Sequence, residues 1–349
     1  MSRPILRVAL GIALGTVLLA AQPTDAGLEI YWIDVEGGAA TLIVTPARQS
    51  ILMDAGWERP DERDARRIQD ALRDAGVDRI DYFIASHFHG DHVGGLPALA
   101  ARVPIGRFVD HGDSVEQSTE RGLATWNAYR SVAEGRRRTI APGDKLPLRG
   151  VEFSFVLAGG RTLDGPLLPL GPNPHCDGTE LHPGIDPGIY PEEGGENARS
   201  VGYLVSLGAF QFLNLGDATR NVQYALACPE NLLGEVDVYQ VPHHGNGVAP
   251  ELTWALAPTV AVINNGPRKG GSAAGFQVVA RSPRLEDIWQ SHRALDTAAA
   301  YRAADDLTAN LATEDDCRGH WIKATVDPEG RSYSLTNGRN GASRAYLSR

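Results

Sequence analysis

Three histidines and an aspartate fall within six residues, His87-Phe88-His89-Gly90-Asp91-His92, and this run constrains the chain more than any other feature. It follows residues 79–85, Arg-Ile-Asp-Tyr-Phe-Ile-Ala, an apolar and β-prone stretch that reads as a buried strand. Imidazole nitrogens and carboxylate oxygens gathered at a strand end are the donor set that suits zinc and related divalent ions. His87 and His89 stand two apart and point the same way there, and Gly90 lets the chain turn back towards them. Asp91 and His92 then face a second ion. Histidines that merely cap backbone groups are not expected at this density.

The surrounding pattern alternates strands and helices. Residues 28–34 and 40–44 read as an opening hairpin, and 50–53 as a strand ending at Asp54. Residues 61–75 and 119–134 read as helices, 107–109 and 151–157 as strands. His111, in the loop after 107–109, reads as a solvated histidine, and Arg136-Arg137-Arg138 as a solvated face near a helix end. Between residues 158 and 196 the chain is dense in Gly and Pro; a loop of that length before a candidate ligand suggests a lid. His175 and His182 lie in it without ligand spacing. A second hairpin, 201–205 and 210–215, ends in Gly216-Asp217, and a strand at 236–241 runs into Pro242-His243-His244-Gly245. Helix 250–257, strand 259–263 and the basic turn Asn264-Asn265-Gly266-Pro267-Arg268-Lys269-Gly270-Gly271 follow. Arg268 or Lys269 there is placed to hold an anionic group of a substrate. Residues 285–295 read as a helix, 319–326 with 332–335 as a hairpin, and 339–349 as a tail.

His87-x-His89-x-Asp91-His92 resembles the signature of the metallo-β-lactamase fold superfamily. The resemblance implies an α/β (α+β) fold, a four-layer αββα sandwich with a two-metal site at one end of its sheets. It implies His87, His89 and Asp217, with Asn197, for a first ion, and Asp91, His92, Asp217 and one of His243 and His244 for a second. His243 is favoured, because related sequences put the ligand two places before the Gly; His244 is the alternative. Asp54 takes the place of the carboxylate that orients a metal-binding histidine and fixes its tautomer. Most of the superfamily carries histidine where this chain has Asn197. Asn197-x-x-Ser200, Gly216-Asp217 and Pro242-His243-His244-Gly245 resemble instead the hydrolase domain of the DNA-uptake channel protein ComEC. An amide oxygen is a weaker zinc ligand than imidazole, so the first ion is expected to be held more loosely. The match covers residues 28–263, and 264–349 is a C-terminal extension of the same domain.

Residues 3–26 hold two arginines, an apolar run at 8–21 and small residues near Ala26, the pattern of a secretory signal peptide, shorter than the roughly twenty residues a membrane span needs. An uncleaved anchor is the alternative. The mature chain, 27–349, is then an exported single domain, periplasmic or secreted and free of the membrane, with Cys176, Cys228 and Cys317 supplying one disulfide and one thiol in a pairing that the spacing leaves open. A net charge of −10 argues against stable nucleic-acid binding and leaves a small-molecule or anionic substrate; the oligomeric state is left open. Two divalent ions, zinc first and manganese second, lower the pKa of a shared water so that hydroxide attacks carbonyl or phosphorus. The expected activity is hydrolysis, centred on Asp91 and Asp217, of a phosphodiester-type or other anionic substrate. A lactam, lactone or ester hydrolase is the alternative, and a non-catalytic metal-binding protein the third.

Overall fold

The computed structural model describes residues 26–169, 171–176, 194–312 and 317–349; the apolar N-terminal run and His182 lie outside them. The chain starts with six strands of one sheet: β1 Leu28–Trp32, β2 Thr41–Val44, β3 Ser50–Met53, β4 Ile80–Ile84, β5 Ile105–Asp110 and β6 Arg137–Thr139. A second sheet takes β7 Glu152–Ala158, β8 Arg161–Thr162, β9 Gly202–Leu207, β10 Phe210–Asn214, β11 Val238–Gln240, β12 Val260–Ile263, β13 Asp287–His292 and β14 Thr308–Asn310. The chain then returns to the first sheet with β15 Ile322–Val326, β16 Ser332–Asn337 and β17 Ser343–Leu347. The described strand orders are β17-β16-β15-β1-β2-β3-β4-β5-β6 and β14-β13-β12-β11-β10-β9-β7-β8.

Helices cover the outer faces. Against the first sheet lie α1 Arg63–Asp74, the single turn α2 Gly90–Val93, α3 Leu96–Ala100 and α4 Glu120–Ala133. Against the second lie α5 Arg220–Ala227, α6 Pro250–Leu256 and α7 Ala273–Ala280. Strand β1 shows why the layers form. Leu28, Ile30 and Trp32 pack between the sheets and Tyr31 packs beneath the helices, so both faces of the pleat are apolar because both are covered. The Trp32 indole donates to Gln240 Oε1 at 2.9 Å across the sandwich. This is the expected αββα sandwich.

Strands β3 to β6 are parallel, as are β10 to β14, so their C-terminal ends gather at shared edges. In sheets of this kind the loops beyond the strand ends build the site. His87 follows β4, Asp217 follows β10, His244 follows β11 and Lys269 follows β12.

Three readings need correction. Residues 285–295 are not a helix: β13 sits inside the second sheet between β12 and β14, and its residues 288–292 are buried. Only Ile288 and Trp289 in it are apolar, and the buried Gln290, Ser291 and His292 break the alternation that would mark a strand. Residues 339–349 are not a plain tail, since β17 pairs with β16. In the run at 136–138, Arg136 and Arg138 are exposed as read, but Arg137 enters β6 and grips the buried Asp110 with Nε at 2.8 Å and Nη2 at 3.0 Å. The long segment begins with β8 and is then tied to the α5–α6 side, where the Asn173 amide donates to Ala227 O at 3.0 Å and Glu251 O at 3.1 Å. Its middle, 177–193, lies outside the described residues, and so does the lid reading. The disulfide left open above joins Cys176 to Cys228, and Cys317 is the free cysteine.

Candidate metal centre

Strand β4 delivers the chain to Ser86, whose N–H donates to Asp54 Oδ1 at 2.8 Å. Asp54 itself sits at φ 65°, a left-handed conformation that turns its carboxylate back over the loop. Its Oδ2 stands 2.8 Å from His92 Nδ1, which leaves Nε2 to face the centre. His87 is fully buried, with Nδ1 3.0 Å from Ser86 Oγ and Nε2 3.1 Å from His89 Nδ1. The far nitrogen of His89 meets both oxygens of Glu116 at 3.3 Å, so this ring turns Nδ1 inward. The turn α2 then raises Asp91 and His92 together, with the His92 and Val93 N–H groups donating to His89 O.

From the second sheet, Ser200 accepts the Asp217 N–H at 3.1 Å and so aims that aspartate into the cluster. Gly216 before it has φ 56°, and a Cβ there would lie 2.9 Å from Ser86 Cβ; only glycine lets the two sheets close at this point. One ligand atom each from Asp91, His92, Asp217 and His244 lies within 4.8 Å of the other three, and all four residues are buried. His92 Nε2 is 3.2 Å from Oδ2 of both Asp91 and Asp217, and His244 Nε2 is 3.3 Å from the same two oxygens.

The geometry corrects the preference between the adjacent histidines. His244 Nδ1 lies 3.2 Å from Asn264 O, which turns Nε2 to the aspartates. His243 stands 4.0 Å from Asp217, on the side of Asn197, whose amide nitrogen is 3.5 Å from it. Both histidines have positive φ, 52° and 55°, so the backbone here is strained and a count of places before the Gly misjudges which ring turns inward. Asn197 itself is buried in a short 3₁₀ turn, Asn197–Arg199, beside His243.

The two residues proposed for anion binding part company. Arg268 is mostly exposed and faces Asp296 at 3.5 Å, away from the centre. Lys269 reaches inward, with its ammonium bonded to Asp91 Oδ2 and 4.9 Å from the Trp57 ring centroid. Gly270 beside it has φ 76° and lies against the His244 carbonyl.

Glu196 went unnoticed in the sequence. It is fully buried, and its carboxylate accepts from Val115 N and Ser114 Oγ at 2.7 Å, Phe88 N at 3.0 Å and His111 Nε2 at 3.1 Å. It clamps the loop between His87 and His89 to the residue before Asn197. Burial raises its pKa, but the bonds from His111, Ser114 and Phe88 outweigh that and hold it at about 2. His111 is therefore a buried clamp residue and not a solvated one. A single glutamate in a Gly-rich segment carries no local signal of such a role, and neither does Glu116.

The electrostatics fit a cation. Burial alone would raise Asp91 and Asp217, yet His92 and His244 beside them keep both carboxyls well below the ordinary range. Burial, joined by the charges of His92 and His89, pushes His87 well below the usual imidazole value and keeps it a neutral donor. Buried anionic oxygens and inward imidazole nitrogens together form a divalent-metal donor set.

Residues 33–190 match the model of the metallo-beta-lactamase superfamily. Over these residues the chain is similar to that superfamily. The chain is similar to a metal-dependent hydrolase of Cupriavidus necator, 25% identical over 235 residues, covering 65% of this chain and 67% of that protein. It is also similar to one of Polynucleobacter asymbioticus, 24% identical over 273 residues, covering 74% and 82%. Among solved structures, the metallo-beta-lactamase fold protein YhfI from Bacillus subtilis matches at 9% identity and TM-score 0.45, covering 75% of this chain and 95% of that one. A metallo-beta-lactamase from Cronobacter sakazakii matches at 17% identity and TM-score 0.37, covering 63% and 77%.

Proposed function

We propose that this metal-dependent hydrolase works with two divalent ions, zinc or manganese, on a phosphodiester-type or other anionic substrate. The observation that carries the reading is the buried quartet Asp91, His92, Asp217 and His244 within 4.8 Å, with the Lys269 ammonium on Asp91 at its rim. The quartet would hold one ion; His87, His89 and Asp217, with Asn197 beside them, would hold the other. When bound, such ions supply Lewis acidity to a water and to the scissile group.

The chain's own residues prepare that chemistry. Asp54, Glu116 and Ser86 fix the rings of His92, His89 and His87, so the donors need no rearrangement on binding. Lys269 places a positive charge where an anionic substrate group would approach. A cleft of about 710 Å³ is lined by Arg161, Thr162, Ala198, Thr219 and Asn221; Ala198 adjoins Asn197 and Thr219 lies two residues from Asp217. The ComEC-like elements at Asn197, Asp217 and Pro242 support phosphorus over carbonyl as the electrophile. The signal-like N-terminus and the Cys176–Cys228 disulfide support export to the periplasm or beyond.

The test is a panel of a chromogenic phosphodiester, a chromogenic β-lactam and an aryl ester, with zinc and with manganese, on wild type, Asp217→Ala and Lys269→Met. Phosphodiester turnover should fall on the order of hundredfold or more in Asp217→Ala, since changes that merely support a ligand already cost 10–100-fold. Lys269→Met should weaken anionic substrates and spare neutral ones. Turnover of the β-lactam alone would reject the substrate class, and full activity in Asp217→Ala would remove the reaction from this centre.

A further inference from the structure

A second cluster of metal-ligating side chains lies apart from the residues above. One ligand atom each from Asp34, His292 and Cys317 lies within 4.8 Å of the other two. Asp34 follows β1, His292 ends β13 and Cys317 precedes β15, so the cluster joins the first sheet to the second. Asp34 and His292 are buried, and Cys317 is partly buried.

The hydrogen bonds leave one donor atom unused. The Cys317 thiol donates to Asp34 Oδ2 at 3.2 Å, and Asp34 Oδ1 accepts the Glu36 N–H at 2.9 Å. His292 Nδ1 lies 3.3 Å from Arg293 O; a carbonyl can only accept, so Nδ1 carries a proton and in the neutral ring Nε2 holds the lone pair. That Nε2 is buried and has no hydrogen-bond partner. A fully buried imidazole with its free nitrogen beside a thiol and a carboxylate has the makings of a ligand.

The surroundings hold these groups in place. Arg67 donates to Asp34 O at 3.1 Å, to Glu36 Oε1 at 2.9 Å and to Cys317 O at 2.8 Å, fixing both backbone segments. The linked ion pairs carry Asp34, Glu36 and Asp64 against Arg63 and Arg67, one negative charge in excess. A divalent ion that displaces the thiol proton adds one positive charge net, which brings this network to neutrality.

We propose that Asp34, His292 and Cys317 bind a further divalent ion of the zinc class, a structural site separate from the centre of Asp91, His92, Asp217 and His244. Sulfur, imidazole nitrogen and carboxylate oxygen are the three donor types zinc takes. On binding, the Cys317 S–H bond breaks, its proton goes to solvent, and the sulfur keeps the electron pair for the metal; nothing is oxidised. The ion would pin the loop after β1. That loop backs the centre: the Ala39 N–H donates to Asp91 O at 3.1 Å, and a Cβ at Gly37 would come within 2.8 Å of Lys269 Cβ.

The free cysteine gives this site a signature of its own. The full chain is stripped of metal without thiol reductant, so that Cys176–Cys228 stays closed, and is titrated with cobalt(II). A thiolate-to-cobalt charge-transfer absorption should appear in wild type and in His87→Ala, be absent from Cys317→Ser, and need on the order of hundredfold more cobalt in His292→Gln. Zinc should protect the thiol of folded wild type from an alkylating reagent, and a chelator should restore labelling. The wild-type spectrum and labelling do not depend on whether a variant folds. Absence of the absorption from wild type at saturating cobalt, or the same cobalt requirement in folded His292→Gln, would overturn the site.

Discussion

Replacing Glu196 by glutamine changes one atom and should cost far more than its size suggests. Oε1 accepts from Ser114 Oγ and Val115 N, and Oε2 accepts from Phe88 N and His111 Nε2. Whichever way the new amide turns, its NH₂ meets a backbone N–H, that of Val115 or that of Phe88. One buried N–H is then orphaned, and the charge-assisted character of the remaining bonds is lost. An orphaned buried donor costs about 1–3 kcal/mol and bonds to charged groups contribute about 1.5–3 kcal/mol, so a net loss of about 2–4 kcal/mol is expected. The carboxylate is charged throughout the neutral range, since its pKa is held at about 2, so the loss applies at working pH. The assay is urea unfolding of the full chain, with metal and with a chelator, alongside competitive metal titration. Because the Phe88 N–H lies between His87 and His89, metal affinity should also fall about 10–100-fold. A stability loss below about 0.5 kcal/mol, the scale of an ordinary surface change, would refute the clamp.

Further outcomes follow from the same geometry. His244→Ala should lower metal affinity on the order of hundredfold, and His243→Ala clearly less, in a competition with a chromogenic chelator; the reverse order would show that His243 is the inward ligand. Burial pushes the Asp237 carboxyl up from 3.8 to about 6, against the hydrogen bond it accepts from the Gln211 N–H. A raised carboxyl favours the folded state while protonated, so its contribution is complete below the unfolded value and is lost as pH rises through the folded one. Wild type should therefore lose stability over that interval and Asp237→Asn should lose less; superimposable stability–pH curves would reject the assignment.

The centre was legible because its chemistry is concentrated. Four ligands in six residues, with Asp54 and Asp217 at strand ends, declare a divalent-metal site before any fold is known. The apolar run that becomes β1 likewise announces a strand. What the sequence left open depends on contacts between distant segments. Two adjacent histidines look alike on paper, and only the strained turn at residues 243–244 and the Asn264 carbonyl decide which ring turns inward. Arg268 and Lys269 are equally basic, and the turn sends one to Asp296 and the other to Asp91. Strand β13 resembled a helix because its buried positions include the polar Gln290, Ser291 and His292, which leave no apolar alternation to read. Glu196 and His292 have no local motif at all; their roles arise where two sheets bring together groups that lie 108 residues apart, for Phe88 and Glu196, or 283 residues apart, for Asp34 and Cys317. A donor set can be written into six consecutive residues, whereas the orientation of each donor comes from partners that only the closed sandwich supplies.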